Sequence, residues 1–402
     1  MMSSQALGEY VAAVLTRYDR AEGRAEKSRI LDEICATSGI HRKHALRLLR
    51  QARRGDRGRS ARPQKRGPKK KYDAPALQRC IRKIWRTADY PCAKRLVAMI
   101  SDWIDSYEIR FEQLTPELRE KARTISASSL DRMLRRDRNR LPRHGRSTTK
   151  PGTLLRDKVP VATDQWEETR LGFVEADTVA HCGETTSGTY VSSLVCVDMA
   201  STWVETRAVW GKTDSATLKQ IKSIERGLPF PLRGFDSDNG TEFLNHLVFR
   251  HFVARHDPIV MTRSRPYKKN DNAHVEQKNW THIRELIGYE RFEHKEIAVA
   301  LNDLYENELR LYQNFFNPSV KLIEKRREGS RTRKIYDSPK TPYQRLLEHP
   351  ELSQHSRQHL EYLRANLDPF ILKDSINKKL RAIFRLSSKL KKQDHEHDGR
   401  PG

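Results

Sequence analysis

Asp236-Ser-Asp-Asn-Gly-Thr-Glu-Phe243 reads as a strand that runs out on acidic residues into a glycine turn. Asn239-Gly240 favours a tight turn with positive φ, so Asp238 is presented at a strand end with no following side chain to block its carboxylate. Asp236, two residues earlier, points to the same face and competes for the same role. Asp238 is preferred because it stands at the strand end itself.

Outward from that run the text is β-rich. Gly172-Phe-Val-Glu-Ala-Asp-Thr-Val179, Tyr190 to Asp198 and Thr202 to Trp210 are strand-like runs joined by Gly/Thr/Ser and Asp-Met-Ala-Ser turns, which predicts three consecutive antiparallel strands. A helix opening at Thr213-Asp-Ser215 follows, then a strand over Arg233 to Ser237 and a helix from about Thr241 to His256. A short strand over Ile259 to Thr262 and a helix from about Asn272 to Tyr289 complete the series. The order β-β-β-α-β-α-β-α is that of the RNase H-like fold, a mixed five-stranded α/β sheet with helices.

Two further acids attach to this frame. Glu175 and Asp177 share one face of the first strand, so either can serve as a ligand. Asp177 is preferred because it stands deeper and is followed by Thr-Val rather than a turn; the competing reading is an exposed strand acid. Glu276 sits on the last helix with Trp280, Ile283 and Ile287 at i+4, i+7 and i+11, which places it on the apolar stripe. An ionised glutamate facing a core costs several kcal/mol unless it is paired with a buried arginine or bound to a metal. Three carboxylates are the ligand set that Mg2+ or Mn2+ prefers, and two such ions about 3.5–4 Å apart serve to cut and rejoin phosphodiesters.

The bulk numbers agree. At 402 residues the chain predicts two to four domains, at roughly 100–200 residues each. Lys and Arg number 77 against 52 Asp and Glu, a net charge of +25. That excess favours a polyanionic partner, nucleic acid first and an acidic membrane surface second. No run of about 18 apolar residues occurs, and the start MMSSQALGEY lacks the basic stretch and apolar core of a secretory signal, which predicts a soluble intracellular protein with no membrane partner. Cys35, Cys80, Cys92, Cys182 and Cys196 are scattered without zinc-ligand spacing and are expected to be ordinary reduced thiols.

The flanks read as helical. Over residues 1–55, Leu31, Ile34 and Cys35 give way at Thr37-Ser-Gly-Ile40 to Ala45, Leu46, Leu48 and Leu49, which predicts a helix-turn-helix domain. Its second helix carries Arg42, Lys43, His44 and Arg47 as candidate DNA contacts; the alternative is a solvated basic face. Residues 56–73 form a basic linker; from 41 to 71 there are 14 Lys or Arg and one acid, Asp56. Residues 74–142 predict a second helical, helix-turn-helix-like module. Its last helix is N-capped within Ser126-Ala-Ser-Ser129, with Leu130, Met133 and Leu134 inward and arginines outward. The catalytic core is placed at 165–292 and a mostly helical, basic C-terminal region at 293–402, interrupted by a basic break at Lys325 to Lys334.

Taken together, Glu175-Ala-Asp177, Ser237-Asp-Asn-Gly-Thr-Glu-Phe243 and Asn270-Asp-Asn-Ala-His-Val-Glu-Gln-Lys-Asn279 resemble the DDE transposases of bacterial insertion sequences, with a retroviral-integrase-type core. The intervals fit, with 60 residues between Asp177 and Asp238 and 37 between Asp238 and Glu276. The likeness covers about 165 to 325. It implies that Asp177, Asp238 and Glu276 form the catalytic triad and hold two Mg2+ or Mn2+ ions. It further implies a cytoplasmic, nucleoid-associated bacterial enzyme that cleaves and joins double-stranded DNA, at transposon ends and target, as a homo-oligomer. Lys268, Lys269 and Lys278 flank the glutamate as candidate phosphate contacts, and Asn272 orders or caps the helix start. Two features depart from relatives: Ile283 stands where many carry a cation, and the flanks are helical and zinc-free. The competing functions are an RNase H-like nuclease without strand transfer and a non-enzymatic DNA-binding regulator.

Overall fold

The structure is a computed structural model that describes residues 2–53, 71–141, 169–211, 213–237, 240, 243, 245–263, 278–328 and 331–398. The chain divides into two compact units, Met1–Lys71 and Tyr72–Gly402.

The first unit contains three helices: α1 (Ser4–Arg20), α2 (Arg24–Ser38) and α3 (Arg42–Arg53). Ser3 caps α1 by accepting from the Ala6 N–H. Gly39 ends α2 at φ 70°, and its N–H closes the turn on the Cys35 carbonyl at 2.8 Å. Val11, Ile30, Leu31, Ile34, Ala45 and Leu49 form the core, so the apolar stripes recognised in the sequence do face one another.

The second unit is built on a five-stranded sheet in the order β3-β2-β1-β4-β5. Its strands are β1 (Phe173–Ala180), β2 (Val191–Asp198), β3 (Val204–Trp210), β4 (Gly234–Ser237) and β5 (Val260–Arg263). β1, β2 and β3 are antiparallel neighbours, while β4 and β5 run parallel to β1. This is the expected RNase H-like order, with strand limits within about two residues of the sequence reading.

Gly172 starts the sheet. At φ 92° it donates to Asp198 Oδ1 at 2.8 Å, and a Cβ there would lie 2.2 Å from the Pro231 carbonyl oxygen, so only glycine fits. Thr213 caps α8 (Asp214–Gly227), and Asn245 caps α9 (His246–Val253). These helices cover one sheet face, where Val174, Ala176, Leu194, Cys196 and Phe235 meet Ile221, Ile224, Val248 and Phe252.

The other face is covered by a helical segment over 279–287 and a longer one over 295–316. Each is interrupted by a π-helical turn, Asn279–Arg284 in the first and Tyr305–Leu309 in the second. Helices α4 (Pro75–Thr87), α5 (Ala93–Arg110), α6 (Pro116–Arg123) and α7 (Ala127–Arg138) join the same hydrophobic core. Trp103 of α5 sets its ring edge-on to Tyr312, Phe316 and Phe370. As expected for α7, Leu130 and Leu134 are buried and Ser126 is the N-cap.

The C-terminal region departs from the helical expectation at one place. The supposed basic break is a two-stranded antiparallel sheet, β6 (Leu322–Glu328) with β7 (Arg331–Tyr336), apart from the main sheet. Helices Pro342–Glu348, Gln354–Ala365 and Pro369–Asp398 complete the chain. The five cysteines are unpaired. Among the described residues no helix is long and apolar enough to cross a membrane.

Candidate active site

Asp177 lies within β1, half-buried, on the sheet face covered by the 279–287 helix. Its Oδ2 accepts from Asn279 Nδ2 at 2.6 Å, and its Oδ1 accepts from the Thr178 backbone N–H at 2.7 Å. Both oxygens are thereby fixed. The Asn279 side chain holds a second polar atom, Oδ1, which is buried with no hydrogen-bond partner among the described residues. A buried orphan acceptor costs roughly 1–3 kcal/mol, so this oxygen is one that a bound group or a neighbouring donor would satisfy.

Asp238 and Glu276 lie outside the described residues, as do Lys268, Lys269 and Asn272. The described β1–β4 ladder ends with Ala176 opposite Ser237, and the next residues along the chain are Asp177 and Asp238. Glu276 precedes Asn279 by three positions in the chain. Among the described residues no three His, Cys, Asp or Glu side chains converge as a ligand set. The described atoms nonetheless fit a hard divalent cation. A carboxylate held in place by two donors is bonded to a side chain whose amide oxygen has no partner among the described residues, and both are oxygen donors.

The competitor acids are deeper. Glu175 is 2% exposed and Asp236 is 4% exposed, and the parallel register sets them side by side. Asp236 Oδ1 accepts from the Thr262 hydroxyl at 2.6 Å, which ties it to β5. Asp177 is the more accessible carboxylate of β1, the reverse of the sequence reading, which set it deeper than Glu175.

The candidate cations are distributed differently from the expectation. Lys278 is buried, 6% exposed, instead of being displayed to phosphates. It opens the segment that coils as a π turn, where burial and the nearby Arg95 and Arg345 guanidiniums pull its ammonium down to about 7. His282 is held well below its usual range by burial and by Lys278 and Arg95. On α3, Lys43 and Arg47 are exposed, His44 is half-buried, and Arg42 is engaged with Asp32 and Ser28.

One buried polar chain on this face had no signature in the sequence. His181 Nε2 shares a hydrogen bond with Ser193 Oγ at 2.8 Å, and Ser193 Oγ shares another with Tyr305 Oη at 2.7 Å. Burial, then the Arg284 charge, lowers His181 to about 3, so its ring is neutral. Full burial of all three makes this a structural relay inside the core.

Compared with models of known protein families, the chain matches none. It is 38% identical over 341 residues to the "Uncharacterized protein y4rM" of Sinorhizobium fredii (strain NBRC 101917 / NGR234), covering 84% of this chain and 94% of that protein. The chain belongs to the y4rM family.

Two solved structures are also similar to this y4rM-family chain. The catalytic core domain of BIV integrase is 18% identical, covers 48% of this chain and 98% of its own, and has a TM-score of 0.27. The simian T-cell lymphotropic virus intasome in complex with PP2A regulatory subunit B56 gamma is 17% identical, covers 57% and 69%, and has a TM-score of 0.30. The integrase-type fold of the y4rM-family chain rests on its own strand order.

Proposed function

We propose that the chain is a DNA transposase/integrase of the DDE type, acting on double-stranded DNA as a homo-oligomer, in the manner of bacterial insertion-sequence transposases. The observation that carries this reading is Asp177 on the central strand, clamped by Asn279 from the helix whose preceding residues include Glu276. The RNase H-like strand order supports it, because that order directs the ends of β1 and β4 toward one site. Asp177, Asp238 and Glu276 are the residues to hold two Mg2+ or Mn2+ ions. Such ions supply an activated oxygen nucleophile and stabilise the leaving 3′ oxygen in an in-line displacement.

The chain's own part is positional. Asn279 sets the direction of the Asp177 oxygens, the apolar face behind β1 and β4 keeps those strands in register, and β1 holds Asp177 in place within the sheet. Lys43 and Arg47 on α3 are the exposed cations suited to phosphate or base-edge contact, and Lys268 and Lys269 stand just before the third acid in sequence. No covalent intermediate with the protein is needed.

The test uses the full chain, a duplex from the DNA flanking the gene with recessed 3′-hydroxyl ends, supercoiled plasmid, and Mg2+ or Mn2+. Joined product is expected from the natural chain. Asp177→Asn, Asp238→Asn and Glu276→Gln are each expected to lose it by ~10³-fold or more while duplex binding persists. Nicks without joined product would point to a plain nuclease. An Asp238→Asn chain with every activity intact would overturn the catalytic reading.

A further inference from the structure

The β6–β7 ribbon is unlike the rest of the second unit. Its strands pair with each other and with neither edge of the main sheet. Ile323, Glu324, Arg326 and Arg327 are exposed, as are Arg333, Lys334 and Tyr336. Since successive strand residues face opposite sides, exposure at 323–324 and 326–327 leaves both ribbon faces to solvent. A two-stranded ribbon of this kind is marginal in water unless something packs on it.

Its charge adds to that cost. Between 325 and 334 lie six cations (Lys325, Arg326, Arg327, Arg331, Arg333 and Lys334) against a single acid, Glu328. The register sets Arg326 opposite Arg333 and Lys325 opposite Lys334, and like charges directly opposite destabilise an antiparallel pair. Arg326 also bonds Glu324 at 2.7 Å, while Arg327 and Lys334 form no ion pair among the described residues.

The base, by contrast, is fastened. The Lys321 N–H donates to Asp337 Oδ1 at 2.6 Å, and the Asp337 N–H returns a bond to the Lys321 carbonyl at 3.0 Å. Arg345 clasps Asp337 Oδ2 at 2.6 Å and the Ser319 carbonyl at 2.9 Å. Lys321 Nζ donates to the Met199 and Ala200 carbonyls at 2.7 and 3.1 Å, joining the ribbon's root to the β2–β3 turn. Strands of seven and six residues reach on the order of 20 Å from that root.

We propose that the β6–β7 ribbon is a DNA-docking element, a rigidly rooted arm whose cations lie along the phosphates of duplex DNA. A two-stranded ribbon has the width that the major groove, about 12 Å across, admits. Phosphates between the facing cations turn the cross-strand repulsion into attraction, so a polyanion supplies what the isolated ribbon lacks. The inference rests on the nucleic-acid reading above and adds to it a contact outside both the acid site and α3.

The experiment measures equilibrium binding of the full chain to a random-sequence duplex across salt concentrations. It compares the natural chain with the double variant Arg327→Gln/Lys334→Gln and the quadruple variant that adds Arg326→Gln and Arg333→Gln. The slope of log affinity against log salt is expected to fall by about 2 in the double variant and about 3 to 4 in the quadruple, at roughly 0.9 per phosphate released. A thermal midpoint no lower than the natural chain's is expected for the double variant, because Lys334→Gln relieves the repulsion with Lys325 across the register. Unchanged slopes and affinities, with the natural chain binding normally, would overturn the ribbon's role and leave the proposed function standing. A natural chain that binds no duplex at any salt would instead sink the function itself.

Discussion

On one face of the central sheet, Val174, Ala176, Leu194, Cys196 and Phe235 meet Ile221, Ile224, Val248 and Phe252 in a cluster of apolar side chains. On the other, Asp177 is bonded to Asn279, Asp236 to Thr262, and Ser193 to both His181 and Tyr305, with Lys278 and His282 buried nearby. The same strands therefore carry two kinds of interior. The apolar face gains stability from area removed from water; the polar face holds ionisable groups only because each is satisfied locally or shifted toward its neutral form. A protein that needed only stability would have no reason to keep the second kind, so the polar face is where chemistry is to be sought.

The largest expected effect tests the apolar side. Phe235 is 1% exposed and its ring centroid lies 5.0 Å from that of Phe252 and 5.9 Å from that of Phe243. Phe235→Ala is expected to cost ~3–5 kcal/mol in denaturant unfolding, through lost transfer energy and the cavity left behind. DNA joining, assayed well below the unfolding transition, should stay near the natural rate. Activity lost without a loss of stability would erase the division between the faces.

Asn279→Ala tests the opposite side. Removing the amide frees Asp177 Oδ2 and takes away the orphan Oδ1 together, so stability should change by no more than about 1 kcal/mol. Residues that orient ligands typically contribute ~10–100-fold in metal affinity or activity. Metal-dependent joining should fall by that factor, with the half-saturating Mn2+ concentration moved upward and duplex binding unchanged. Equal joining by the variant would mean that the 2.6 Å bond only packs the helix.

The sheet was legible because its strands alternate β-branched residues between turn signals, and because acids at strand ends are rare enough to stand out. The polar partners were not legible. Asn279 reads like any helix residue, and the π turn over Asn279–Arg284 changes the helical phase that sequence periodicity assumes, so Lys278 turned out buried where an exposed cation was expected. Arg95 and Arg345, which help neutralise Lys278, lie far away in sequence, as do Trp103 and Phe370, which meet in one aromatic cluster. The β6–β7 ribbon was hidden by composition, since six cations in a short segment mask the alternation that marks a strand.

His181 gives the comparison a pH dependence. Its folded value of about 3 lies below the unfolded 6.5, so between those values the unfolded chain binds the extra proton. The stability from keeping the ring neutral is full above about pH 6.5 and declines as pH falls toward about 3, at ~1.4 kcal/mol per pH unit for one proton. His282 is shifted in the same direction and steepens the same limb. Urea unfolding of His181→Gln between pH 6.5 and 4.5 should show a slope smaller by up to one proton than the natural chain's. An unchanged slope would show that His181 is protonated in the folded protein.

The smallest effect separates packing from polarity within the polar face. Tyr305 is 1% exposed, and its hydroxyl meets Ser193 Oγ, which also meets His181. Tyr305→Phe keeps the ring and removes one hydroxyl, leaving Ser193 with the histidine as partner. The expected cost is ~1 kcal/mol, the net worth of one hydrogen bond, because Ser193 is not orphaned. Ser193→Ala strands both the imidazole nitrogen and the tyrosine hydroxyl, so it should cost more than Tyr305→Phe although it deletes a smaller group. If the two substitutions rank by the size of the deleted group instead, the relay contributes only through packing, and both faces of the sheet are stabilised in the same way.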